Sequence, residues 1–65
     1  MTVFSQRLKE LREGAGYYRT ELSEICGLDR SAIAEYEESD RLPKLKSIIA
    51  IADLFEVSID YLVGR

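Results

Sequence analysis

Histidine and tryptophan are absent from this chain, and cysteine, methionine and proline each occur once. Without histidine there is no imidazole for a nucleophile–base triad. One thiol cannot form an internal disulfide or a thiolate zinc cluster. The longest uninterrupted apolar run, Ile48 to Ala52, is five residues, far short of the ~20 that a membrane-spanning helix needs. Arg7, Lys9 and Arg12 stand where a signal peptide would carry its apolar stretch. A reducing cytoplasm is the expected compartment, with no membrane, metal, cofactor or small-molecule substrate. A chain of 65 residues leaves no room for a deep preorganised pocket, so an enzyme is not expected.

What is present describes one small globular domain spanning residues 1–65. Apolar residues make up 46% and charged residues 32%, a balance that favours folding over disorder. A domain of this size hides only ~60% of its unfolded surface, and roughly 3–10 kcal/mol of net stability is expected. The net charge of −3 is unevenly spread. Between residues 20 and 40, Arg30 stands alone against Glu21, Glu24, Asp29, Glu35, Glu37, Glu38 and Asp40, while both flanks are mildly basic. That acidic middle is not the field of a non-specific nucleic-acid binder.

The apolar spacing is helical throughout, with no strict alternation that would mark a half-buried strand. Phe4, Leu8, Leu11 and Ala15 line one face of a first helix that ends at Gly14-Ala15-Gly16, where glycine tolerates a left-handed turn. Leu22, Ile25 and Cys26 form the inner face of a short second helix closed by Gly27. Asp29 is a strong candidate N-cap for a third helix, with Ile33 and Tyr36 inward. Pro43 suits the opening of a fourth, in which Leu45, Ile48, Ile49, Ala52 and Phe55 make the core stripe and Ile51 and Leu54 broaden it. Ser58 caps a last helix carrying Ile59, Leu62 and Val63 and ended by Gly64. The expected fold is all-α, a bundle of about five short helices.

A helix–turn–helix needs a small residue where its second helix crosses the first, a glycine four positions later, and an aliphatic plug six beyond that. Ser23, Gly27 and Ile33 hold this spacing, followed by Tyr36. The chain resembles the Cro and phage-repressor type of helix–turn–helix regulators, also called xenobiotic-response-element-like. The likeness is carried by residues 7–13 (RLKELRE), Glu21-Leu22, Gly27-Leu28, Arg30-Ser31, Ile33, Tyr36-Glu37, Arg41, Pro43 and residues 57–62 (VSIDYL). The resemblance implies sequence-specific binding to a double-stranded DNA operator, transcriptional regulation as a repressor, and a homodimer on a palindromic site.

Carried over by position, the resemblance makes the helix starting at Arg30 the base reader, with Arg30, Ser31, Ala34 and Glu35 at base-reading positions. It gives phosphate contacts to Arg19, Arg41, Lys44 and Lys46, and a structural ion pair to Arg12 and Glu37. The residue types suit these tasks. Arginine donates twice to a guanine edge, glutamate accepts from a cytosine amino group, and exposed cations supply salt-dependent affinity without reading sequence. The chain departs from the family at Tyr18, where a Ser or Thr cap is usual, and at Ser39, where glycine is usual. Glu35, Glu38 and Asp40 also stand where neutral or basic residues are commoner, and carboxylates near phosphates subtract affinity.

Simpler readings apply to several residues. Cys26 on an apolar face is core filler. Phe4, Tyr36, Phe55 and Tyr61 have core-facing spacing. Of Tyr17 and Tyr18, one is expected in the core and the other free to meet a phosphate. The acidic middle also supports an alternative function, a helix–turn–helix used for protein–protein contact through its acidic face.

Overall fold

The computed structural model describes residues 2–65. Among them the elements are α1 (Val3–Ala15), α2 (Arg19–Ile25), α3 (Ala32–Glu38), α4 (Leu45–Phe55) and α5 (Ile59–Val63). The all-helical expectation holds. Helix α3 lies between α2 and α1, and α5 ties α1 to α4. Phe4, Leu8, Leu22, Ile33, Ile48, Ile51, Ala52 and Leu62 form the core they share.

Local chemistry explains most boundaries. Thr2 caps α1 through its side-chain oxygen, which accepts from the Ser5 amide at 3.1 Å. Gly16, at φ 79°, closes that helix in the left-handed conformation. Ser58 caps α5 by accepting from the Tyr61 amide at 3.0 Å. Tyr18 gives α2 no side-chain cap, as its chemistry dictates, but Glu21 reaches back to accept from the Tyr18 amide at 3.2 Å. Ser39 needs no glycine in its place, because its backbone is extended (φ −92°, ψ 153°).

The start of α3 differs from expectation. Asp29 is not its N-cap, and the helix does not begin at Arg30. Ser31 occupies the cap position, and Asp29 contributes its backbone carbonyl, which accepts from the Ala32 amide at 2.9 Å. Arg30 and Ser31 therefore sit in a tight turn ahead of the helix. The free amide of Ile33 is met instead by the buried Ser23 hydroxyl of α2 at 3.1 Å, while that hydroxyl donates to the Arg19 carbonyl at 2.9 Å. With the cap supplied across the fold, the Asp29 side chain is not needed for it.

Helix α4 is also offset. Pro43 precedes its Lys44 N-cap rather than opening the first turn. Ile51 is fully buried and Leu54 packs against the core, whereas Leu45 and Ile49 are 62% and 40% exposed. The helix is apolar on so many sides that spacing could not choose its rotation. Ala15, Ile25, Ile59 and Tyr61, expected inward, are likewise exposed. Tyr61 instead takes the Arg7 guanidinium over its ring at 4.4 Å, and Arg7 also donates to the Tyr61 carbonyl. This cation–π contact clamps α5 to α1. Tyr17 packs edge-on against Phe55, while Tyr18 is exposed.

Candidate nucleic-acid interface

Gly27, at φ 71°, turns the chain out of α2. The Leu28 amide then bonds back to the Ser23 carbonyl at 2.8 Å, which fixes the exit. Ser23 thus ties both helices of the motif, through its carbonyl to the turn and its hydroxyl to α3. Ile33 and Leu22 are fully buried behind it. Tyr36 packs edge-on against Phe4, and its hydroxyl bonds the Ser47 hydroxyl of α4 at 3.2 Å. The outer surface of α3 is thereby held at a set angle to α2 and α4.

Three open hollows run along that surface. The first is lined by Arg19, Thr20, Asp29, Arg30, Ser31 and Ala34, which brings together four residues singled out from the sequence. The second continues from Ser31 and Glu35 to Pro43 and Lys44. The third places Glu35 beside Ser39 and Arg41. Arg41 is set there by a turn that the sequence did not announce, with its amide donating to the Ser39 hydroxyl at 3.0 Å. Lys46 is exposed near the start of α4 but does not line these hollows. Thr20 and Asp29, absent from the sequence-derived set, share the first hollow with Arg30.

Beneath this surface lies a charge network. Glu37 is buried, with 1% of its side chain exposed. Arg12 grips it with two donors, Nε to Oε2 at 2.6 Å and Nη2 to Oε1 at 3.3 Å, and donates a third bond to the Tyr17 carbonyl at 2.9 Å. A buried carboxylate needs such compensation. Arg19 adds a second cation, its Nε meeting Glu37 Oε1 at 3.1 Å and its Nη1 meeting Glu38 Oε2 at 3.0 Å. The Glu38 hydrogen bond, with Glu37 behind it, raises the Arg19 pKa further above its ordinary value. Arg19 is thus engaged within the protein as well as facing the first hollow. Nothing in the sequence links Arg19 to Glu38, because the two lie on separate helices at no helical spacing.

A helix–turn–helix family model matches residues 8–62, most of the chain. The chain belongs to the Cro and phage-repressor type of helix–turn–helix family. This is a family of DNA-binding transcription regulators, not one of enzymes. The chain is 35% identical over 60 residues to the transcriptional regulator ImmR of Bacillus subtilis, covering 92% of this chain and 47% of that protein. It is 30% identical over 60 residues to the cryptic phage CTXphi transcriptional repressor RstR of Vibrio cholerae, covering 92% of this chain and 54% of that one. The chain thus spans about half the length of these curated relatives. Among solved structures, the restriction-modification controller protein C.AhdI from Aeromonas hydrophila superposes with a TM-score of 0.81 at 33% identity, covering 94% of this chain and 92% of that one. Within this helix–turn–helix family member, α2, the Gly27 turn and α3 form the motif. Among the described residues, no helix is long and apolar enough to cross a membrane.

Proposed function

We propose that this chain binds double-stranded DNA sequence-specifically as a cytoplasmic transcription regulator, repressing at a palindromic operator as a homodimer. One observation carries the reading. The Arg30–Ser31 turn and the outward residues Ala34 and Glu35 of α3 share a single open surface that also carries Arg19, Arg41 and Lys44. The turn reads bases together with the first turns of α3. Arg30 suits a guanine edge and Glu35 a cytosine amino group. Arg41, Lys44 and Lys46 supply phosphate contacts and hence salt dependence, with Arg19 as a further candidate.

The partner copy is supported by the apolar residues left outside the core. Leu45 and Ile49 lie four apart on α4 and are exposed, as is Leu42 just before it. The molecule measures 27 × 23 × 22 Å, small enough for two copies to lie side by side on half-sites one helical repeat, ~34 Å, apart. The likeness to a controller protein of nearly the same extent and to a phage repressor supports regulation as the task.

Selection from a pool of random duplexes tests the proposal. The expected product is an inverted repeat containing G·C pairs, bound more weakly as salt rises. Enrichment of no sequence would overturn sequence-specific reading. A second reading, contact with a basic protein partner, draws on Asp29 and Glu35 in these hollows and on Glu38, which lines a further one with Glu35, Ser39 and Arg41. Retention of a protein partner after nuclease treatment, with no DNA footprint, would favour it.

A further inference from the structure

We propose that Glu38 competes with DNA for Arg19, so that in the free protein this cation is held by an internal carboxylate and reaches a phosphate only by exchange. The inference rests on the DNA-binding reading above and assigns Glu38 a role in setting duplex affinity. Arg19 is the cation at the rim of the hollow that also holds Arg30, Ser31 and Ala34. Its guanidinium is split between Glu37 Oε1 at 3.1 Å and Glu38 Oε2 at 3.0 Å.

The two partners are unequal. Glu37 is buried and already held by two Arg12 donors, so it stays compensated when Arg19 leaves. Glu38 is 67% exposed at its side chain and Arg19 38%, so both can rearrange without opening the core. Each Arg19–phosphate contact formed therefore breaks a carboxylate contact and leaves Glu38 bare beside the DNA. An anion is exchanged for an anion, and little net attraction remains. An exposed ion pair is weak enough for this exchange to occur.

The test is a double-mutant cycle on Arg19 and Glu38, read as affinity for a mixed-sequence duplex at several salt concentrations. Glu38→Gln should tighten binding roughly two- to fivefold and steepen the salt dependence by about one phosphate contact, a slope change of ~0.9. In the Arg19→Gln background the same substitution should give a clearly smaller gain and no steepening. Thermal melts check the fold, and the Arg19 Nη–H signals in low-temperature NMR, which report the Nη1 contact to Glu38, check the pairing. An equal gain in both backgrounds would overturn the proposal, since Glu38 would then act only by repelling DNA. No gain from Glu38→Gln in a protein that binds duplex would overturn it too. If no variant binds any duplex even at low salt, the DNA-binding reading falls and takes this proposal with it.

Discussion

At the scale of single residues, small polar groups carry more than their size suggests. Ser23 is legible in the sequence as a small residue at a helix crossing, but its hydroxyl has a second task. It caps the Ile33 amide from ten positions away. Ser23→Ala would keep the close packing and leave a buried amide without a partner, which costs about 1–3 kcal/mol. The expected result is a lower urea midpoint with unchanged denaturant slope. An unaltered midpoint would show that the amide finds another acceptor. Cys26 behaves as the filler its spacing suggests, and partial burial raises its thiol pKa above the ordinary value. The fold therefore favours the protonated thiol. Stability from this source is full below the unfolded pKa and falls as pH rises toward the higher folded one. Iodoacetamide at mildly alkaline pH should label the native chain more slowly than the urea-unfolded chain, and equal rates would contradict the burial.

At the scale of elements, the helix ends separate what local chemistry decides from what packing imposes. Gly16 and Gly64 both end helices in the left-handed conformation, and both were readable as terminators. Glu56 ends α4 in the same conformation at φ 55° without being glycine, so no sequence signal marked it. The Val57 amide reaches the Ala52 carbonyl at 3.0 Å, and that bond fixes the unusual backbone. Glu56→Gly should relieve the strain and stabilise the domain by up to ~1 kcal/mol, seen as a rise of several degrees in melting temperature. Gly64→Ala should do the opposite. Its φ of 86° disfavours a side chain, and an added Cβ would stand 2.8 Å from a Val3 methyl. Similar melting temperatures for these two variants would refute the contrast.

At the scale of the whole molecule, the apolar side chains left outside the core bear on assembly. Leu45 and Ile49 are exposed on α4 because the helix turns Ile48, Ile51 and Ala52 inward. For the homodimer proposed above, Ile49→Glu should give monomers in sedimentation and weaken duplex binding, with helical content unchanged. Dimers that persist in this variant would move the interface elsewhere. The all-helical class, the number of helices, the Ser58 cap and the glycine stops could be read from the chain alone, because each depends on groups within one turn of each other. The small–glycine–aliphatic spacing of the motif spans ten residues and two helices, and was readable because the helix crossing fixes which residue type must stand at each position. The rotation of α4, the start of α3 after the Arg30–Ser31 turn and the engagement of Arg19 by Glu37 and Glu38 were not. Each is decided by contacts between segments distant in the chain, where the local alternatives are nearly equal in energy and burial or a hydrogen bond across the fold makes the choice.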